Sequence, residues 1–439
     1  MFKMNKKIKG SKNLNVPNKG EQSQTCLSYA DRAEQSPQGN VPNKRAQSQV
    51  YLNYAEHEEH LHKENVPNLR FPEFSGEWGK TKFENIVSLQ RGSSPRPIIE
   101  YITKSEDGVN WVKIGDMPAS GRIVTRTEEK ITREGAKKSR HVKIGDLILS
   151  NSMSFGQPYI MGIEGYIHDG WFVLRNYEKS LVRDYLCNLL ISPSIQQQYK
   201  RLAAGGVVQN ISSELVNSVI VSVPTKTEQK KIAEFISYID DRIATQIKII
   251  EDLKKLKSAI RAKVFKQLES SCECWSEIGN MLQYEQPSKY LVTSTEYSDS
   301  YATPVLTANK AFILGYTDEE FGIYSKGECV IFDDFTMDVK FVNFPFKVKS
   351  SAIKILTANS SNDLYFVYEY LQNLGLVSEE HKRHYISEIE PMIVACPTFE
   401  EQQNISNLLR SFDSKIEYAN RELILYNKQK RYLLSQMFI

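Results

Sequence analysis

The chain has 439 residues, a formal net charge of +3, and 41% hydrophobic and 10% aromatic content. That is apolar mass enough for two or three folded domains, and so balanced a charge excludes a protein that grips polyanions over its whole surface, so any basic face has to be local. No run of about 18 apolar residues occurs, so no membrane span is expected, and the basic start MFKMNKKIKGSKN lacks the apolar stretch of a secretory signal.

Residues 1–64 differ from the rest. Asn-Val-Pro-Asn recurs at Asn15, Asn40 and Asn65, a period of 25, within a tract rich in Gln, Asn and Ser. Such a composition buries too little apolar surface to offset ordering entropy, so the tract is expected to be disordered or partly helical. His57, His60 and His62 read as part of that solvated tract rather than as a metal site. From Asn65 to Val223 the pattern is mixed. VKIGDLILS, PYIMGIEGYI and GWFVLR read as strands bounded by Gly and Asp. Leu181–Leu202 reads as one helix. Residues 271–396 form a second mixed region, opened by Trp275 as Trp78 opens the first, with KGECVIF in the place of IGDLILS.

Each mixed region is followed by a long helical stretch, 224–270 and 397–439. PTKTEQKKI starting at Pro224 and PTFEEQQNI starting at Pro397 align without a gap at an offset of 173. Apolar residues recur at steps of three and four, with Ile232, Ile236, Ile239, Ile243 and Ile250 in one copy and Ile405, Leu408, Phe412, Ile416 and Leu423 in the other. This spacing predicts two amphipathic helices, each about 60 Å long, whose seams need a partner. The obvious partner for each is the other. Thr227 is the expected N-cap of the first helix. The fold class is therefore α+β: two globular mixed α/β domains separated by two long helices that form an antiparallel coiled coil. The six cysteines are scattered, which suits reduced thiols in the cytoplasm. Cys272-x-Cys274 has no second ligand pair nearby and reads as incidental.

The duplicated P-T-x-x-E-Q-x-x-I, the NISSEL-to-VP approach to the first helix, IGDLIL, TPVLTANKAFILGYT and SMSFGQPYI followed by HDGW together resemble the specificity subunit of type I restriction-modification systems. The resemblance covers 65–439. It implies two target-recognition domains, 65–223 and 271–396, each reading one half of a split double-stranded DNA site, with the helices fixing the gap. It also implies docking of methyltransferase (modification) subunits, which supply S-adenosylmethionine chemistry. A restriction and translocase subunit would supply ATP and Mg-dependent work. No cofactor or metal is expected in this chain.

Sequence reading of DNA needs base-edge donors and acceptors set among phosphate contacts. In the first region the candidates are Arg91, Ser93, Ser94 and Arg96 on a proline-stiffened loop. Arg126 and Lys130, then Lys137, Lys138 and Arg140, form basic runs. Ser152, Ser154 and Gln157 lie in a Gly-containing loop, and Gln209 and Asn210 carry amides suited to adenine. In the second region they are Thr307, Asn309, Lys310, Thr336, Lys340, Lys382, Arg383 and His384. A solvated surface is the alternative for each charge. Asp333-Asp334 reads as a strand-end turn or as a carboxylate pair for cytosine amino groups or a metal.

Catalytic motifs are missing. There is no phosphate loop, dinucleotide fingerprint, HExxH or nucleophile elbow. The Asn/Asp-Pro-Pro-Tyr/Phe motif of amino-methyltransferases is absent too, so the chain is expected to be inert alone. A coiled-coil scaffold for protein interactions is the rival reading. It explains the helices but not the paired recognition-type segments.

Overall fold

The computed structural model describes residues 3–4, 65–118, 121–151, 156–203, 211–307, 312–378 and 382–439. The N-terminal tract, with His57, His60 and His62, lies outside them apart from Lys3–Met4. The chain divides into two compact units, Met1–Asp240 with Lys428–Ile439, and Asp241–Asn427.

Besides the two-residue pair Lys3–Met4 and Leu69–Arg70, the strands of the first unit are β1 (Gly79–Lys82), β2 (Ser88–Arg91), β3 (Ile102–Thr103), β4 (Val109–Val112), β5 (Ile123–Val124), β6 (Glu129–Ile131), β7 (Arg140–Val142), β8 (Leu147–Ser150), β9 (Pro158–Met161), β10 (Gly165–Ile167), β11 (Trp171–Arg175) and β12 (Ile220–Val223). One five-stranded sheet runs β2-β11-β8-β9-β5 and a second runs β3-β6-β4-β10-β7. Val124, Ile148, Met161, Trp171 and Val173 of the first meet Val112, Val142 and Ile167 of the second in one core. Leu147, Leu149, Phe172 and Leu174, on the alternate positions, are also buried, so the central strands are covered on both faces. That is why LILS and WFVLR read as continuous apolar runs and not as alternations. The turn before β8 needs Gly145, whose φ is +88°, a backbone region that L side chains rarely adopt. Gly327, at φ +97°, has the same place before the matching strand of the second unit.

The helix expected over Leu181–Leu202 is two helices, α1 (Arg183–Leu190) and α2 (Pro193–Ala203). Pro193 cannot continue the hydrogen-bond ladder of α1, and it suits the first turn of a new helix.

The first long helix is α3 (Lys226–Ser271), 46 residues and about 70 Å. In the second unit the strands are β13 (Trp275–Glu277), β14 (Leu282–Glu285), β15 (Thr303–Leu306), β16 (Ile313–Thr317), β17 (Cys329–Asp333), β18 (Val339–Val342), β19 (Lys347–Val348), β20 (Ile353–Ala358) and β21 (Ile393–Ala395). A four-stranded sheet β14-β20-β17-β18 lies between a three-stranded sheet β16-β15-β19 and the helices. Those helices are α4 (Leu364–Asn373) and the second long helix, α5 (Phe399–Met437), 39 residues.

Each unit docks its long helices in the same way. In the first, Gln229 is fully buried. Its Oε1 accepts the Val182 N–H at the start of α1 (2.8 Å), and its Nε2 donates to Ser180 O and Pro224 O. In the second, the repeat-equivalent Gln402 accepts the Asp363 N–H at the start of α4 (2.9 Å) and donates to Pro397 O and Asn362 Oδ1. Phe438 at the end of α5 stacks on Tyr185 of α1, and Phe265 near the end of α3 packs on Phe366 and Tyr370 of α4. The start of one long helix and the end of the other are therefore held side by side in each unit, and the two helices run antiparallel. Asp240 pairs with Lys430 in the first unit, and Lys257 with Asp413 (2.5 Å) in the second, the same two repeat positions with the helices exchanged. Gln246 donates to Ala419 O, one repeat position meeting its own copy.

Ile232, Ile236, Ile239, Ile250 and Phe412 are buried, while Ile243, Ile405, Ile416 and Leu423 are half-buried, Ile405 against the core of the second unit. Leu408 is not on the buried face of its helix. It is 43% exposed, and Leu409, the repeat equivalent of Ile236, is buried in its place. One residue is about 100° of rotation on a helix, enough to turn a side chain from the buried face to solvent. The N-cap is Thr225 and not Thr227, for the Thr225 hydroxyl accepts the Glu228 N–H (3.3 Å) as Thr398 does that of Glu401.

The two copies differ in the strand pair that leads into them. β12 pairs with β1 so that Ser222 faces Lys80, and β21 pairs with β13 so that Ala395 faces Trp275. Trp275 thus corresponds to Lys80, not to Trp78, and is half-exposed. Trp78 is buried, its Nε1–H directed at Glu228, whose carboxylate also takes a two-point ion pair from Arg70 (2.7 and 2.8 Å). Glu401, in the equivalent place, instead closes a capping box with Thr398.

Candidate nucleic-acid interface

In the first unit the candidate residues converge on the turn His168–Trp171. The loop that leaves β2 lies across this turn, with Gly92 N–H donating to Trp171 O and Ser93 N–H to Ile167 O. A Cβ at Gly92 would sit 1.9 Å from the His168 carbonyl oxygen, so no other residue lets the two backbones approach. Asp169 organises the side chains of this loop. Its carboxylate accepts the Ser94 hydroxyl (2.9 Å) and faces Arg96 (3.5 Å), and its carbonyl accepts Arg91 Nε and Asn151 Nδ2. Arg140 Nε donates to Arg91 O, and the Ser93 hydroxyl to Lys138 O. Lys138 reaches the Tyr101 hydroxyl and lies over its ring.

Arg91, Ser93, Ser94, Arg96, Lys138 and Arg140 are therefore linked in one cluster, with Arg96 facing the Asp169 carboxylate, and the four cations are exposed. Burial works against the Asp169 carboxylate, but the Ser94 hydroxyl, its own backbone N–H and the Arg96 guanidinium hold it below the usual carboxylate range. Burial pushes the His168 imidazole down, against the pull of Asp169. His168 Nδ1 accepts the Gly170 N–H (2.8 Å), so the ring is neutral with its proton on Nε2, and the 3.6 Å approach to Asp169 is not an ion pair in that form. A cleft of about 570 Å³ opens beside the cluster, with Ile98, Ile102, Trp111 and Ile114 as apolar lining and Ser94, Arg96 and Lys113 among its polar groups. The lining also includes Glu129, His168 and Asp169, and donors and acceptors set beside apolar surface are what phosphate and base-edge contacts use.

The other first-unit candidates lie apart. Arg126 lines a separate cleft with Asp116 and Glu128, and Lys130 sits in β6, facing Asn110 across the second sheet. Lys137 is exposed at the end of the short helix Arg133–Lys137. Gln157 is exposed, its N–H held by the Ser150 hydroxyl. Ser152, Ser154, Gln209 and Asn210 lie outside the described residues.

In the second unit the acidic pair Asp333-Asp334 shapes a turn. Asp333 accepts the N–H groups of Phe335 and Thr336, and Asp334 those of His384 and Tyr385. Lys354, buried, faces Asp334 at 3.6 Å. One oxygen of each carboxylate is engaged by backbone N–H groups, and among the described residues no group of three or more His, Cys, Asp or Glu is placed to hold a metal ion. This brings Thr336, Lys382 and Arg383 to one edge, all three exposed, with Lys340 exposed in the adjoining β18. Lys382 pairs with Glu388 (3.0 Å). His384 does not belong to that surface. It is 2% exposed, with its ring between Ser378 and Glu388, so it holds the turn rather than facing solvent. Thr307 is buried at the end of β15, and Asn309 and Lys310 lie outside the described residues.

Sequence reasoning missed Asp169 and Arg70. HDGW does mark Asp169, since an acid flanked by His and Gly in a strand-end turn is a backbone organiser. No local signal points from Arg70 to Glu228, which are far apart in the chain.

Among the described residues no helix is long and apolar enough to cross a membrane. Residues 76–255 match the family model for the type I restriction modification DNA specificity domain. Over 176 residues the chain is 41% identical to the type I restriction enzyme EcoR124I/EcoR124II specificity subunit of Escherichia coli, a match of 37% of this chain and 44% of that protein. The chain thus spans less than half the length of that relative. It is 24% identical over 387 residues, 77% of this chain and 85% of the relative, to a protein named as the MjaX type I restriction enzyme specificity subunit of Methanocaldococcus jannaschii. Among solved structures, the S subunit of a type I restriction-modification system from M. genitalium is similar at a TM-score of 0.50 and 17% identity, covering 85% of this chain and 99% of that one. A chain from a solved type I R-M system is similar at 0.52 and 13%, covering 81% and 96%. These two likenesses carry the fold alone.

Proposed function

We propose, for a chain that belongs to the family of type I restriction-modification specificity subunits, that it reads an asymmetric DNA site in two parts. The first unit takes one half-site through the surface around Asp169. The second takes the other through the edge formed by Thr336, Lys340, Lys382 and Arg383. The two clusters share no sequence pattern, so the half-sites differ and the site has a direction. The long helices set the gap, because helix rise per residue is fixed at about 1.5 Å.

The observation that carries this reading is the repetition of the helix docking in each unit around unlike clusters. Gln229 and Gln402 hold equivalent positions, while the surfaces they support differ. A pure scaffold has no use for a loop forced by Gly92 onto a turn that gathers four cations.

The chain contributes recognition and not bond-making. Methyltransferase subunits would dock on the helices and bring S-adenosylmethionine. A translocase and nuclease subunit would bring ATP and Mg. The place of action is then the cytoplasm, where the DNA is. Expression of the chain with its methyltransferase partner, followed by mapping of modified adenines, is expected to reveal one split, non-palindromic motif. Finding no modified motif, or an unbroken one, overturns the proposal.

A further inference from the structure

Three cysteines gather where the second unit joins its two long helices. Cys272 and Cys396 are half-buried, Cys274 is exposed, and all three are free thiols. α3 ends at Ser271, and β13 starts at Trp275 opposite Ala395, the last residue of β21. One step outward on this antiparallel ladder sets Cys274 opposite Cys396, and the Cys396 N–H donates to Cys274 O at 2.9 Å. Residues paired in this way have Cα atoms about 5.5 Å apart and side chains on the same face. That separation is in the middle of the span, roughly 4.4–6.8 Å, that a disulfide bridges. In the first unit the same pair of positions is Gly79 and Val223, so the fold itself does not require thiols there.

We propose that Cys274 and Cys396 are a thiol-oxidation site that closes to a cross-strand disulfide when met by a small disulfide oxidant. The exposed Cys274 thiolate attacks one sulfur of the oxidant and releases its other half as a thiol, leaving a mixed disulfide. The Cys396 thiolate then attacks the Cys274 sulfur and releases the second half. Two protons leave the protein thiols and end on the two released thiols. The oxidant is reduced by two electrons and the cysteine pair is oxidised by two. Burial and the two neighbouring thiols push the Cys396 thiol up, so the second step quickens as pH rises. Cys272 is the competitor. Its Sγ is turned to Cys274 O at 3.0 Å, along its own chain, whereas the Cys396 Sγ is turned to Asn362 Oδ1 (3.7 Å) and Gln402 Nε2 (3.9 Å) and has to rotate for the bond to close.

The bond ties the residues just after α3 to those just before α5. It closes the second domain into a covalent ring and restricts the opened chain over a long loop. Cys274, being exposed, tolerates replacement.

The test uses the full chain, reduced and then treated with oxidised glutathione. Peptides are mapped without reduction, and digestion by a nonspecific protease is timed. The expected result is a linked peptide pair joining Cys274 to Cys396, with the loss of one pair of titratable thiols. The pair is absent in C274S and in C396S and kept in C272S. Oxidised chain is digested in the second unit several-fold more slowly than reduced chain, and C274S shows no such difference. A stable glutathione adduct on Cys274, a link through Cys272, or no linkage at all overturns the proposal.

Discussion

Replacing Gln229 by Ala tests whether the repeat motif works as a clamp between each long helix and its unit. The side chain is fully buried and makes three hydrogen bonds, to Val182 N, Ser180 O and Pro224 O. Truncation strands one donor and two acceptors. The Pro224 contact is buried and the other two are partly accessible, so water replaces some of the loss. A buried group left unsatisfied costs about 1–3 kcal/mol and an exchangeable bond about 0.5–1.5 kcal/mol. The sum is about 3 kcal/mol, or roughly a hundredfold in the local opening constant. Hydrogen exchange read by mass spectrometry is the assay. Q229A is expected to lose protection over 180–190 and 224–232 while peptides of 362–373 keep theirs, and Q402A is expected to do the reverse. Q229E should be worse than Q229A, because it keeps the acceptor for Val182 but turns carboxylate oxygen toward two carbonyls. Protection over 180–190 within twofold of wild type in Q229A, or a Q229E as stable as wild type, refutes the clamp.

The matching ion pairs of the two helices should not cost the same to break. Lys257 also pairs with one oxygen of the fully buried Glu369 (2.6 Å), whose other oxygen takes Arg261 (3.2 Å), so K257M leaves one buried carboxylate oxygen without a partner and is expected to lose about 1–3 kcal/mol. K430M leaves only Asp240, about one third exposed and near Arg122, and should lose about 1 kcal/mol or less; urea melts of both decide it. If the Asp169 surface meets phosphates, R96A and R140A should each lower the slope of log affinity against log salt by about one, at unchanged melting temperature. Glu319 gives a pH test. Burial opposes its charge, but buried Lys347, the Thr293 hydroxyl and two backbone N–H groups outweigh that and hold the carboxyl at about 2. A depressed folded value means the stabilisation is fully present above the unfolded value near 4.5 and is lost as pH falls toward 2. The stability gap between wild type and E319Q should therefore be largest above about pH 5 and shrink as acid is added, in melts taken across that range.

The long helices were legible because period and repetition act together: steps of three and four over many turns, twice, at a constant offset. What periodicity does not resolve is a single residue of phase, and so Leu408 stood for Leu409. Trp275 was matched to Trp78 by kind of residue, but the ladder register follows Ala395 and Ser222 and sets Trp275 against Lys80. The basic residues around Asp169 are visible in the sequence as runs. Their grouping is not, since it depends on Asp169 and on the backbone approach at Gly92, which only the packed sheets create. His384 carries the residue type of a nucleic-acid contact, but Asp334 pulls its backbone inward, and no local pattern records that.

The central claim is that the helices are a ruler between two unlike readers. Inserting four helix-forming residues, one turn, after Ile250, with a matching turn in α5, and mapping the modified adenines in cells that also express the methyltransferase partner tests it most directly. The account predicts the same two half-sites with a longer gap between them. An unchanged gap beside an altered half-site would contradict it.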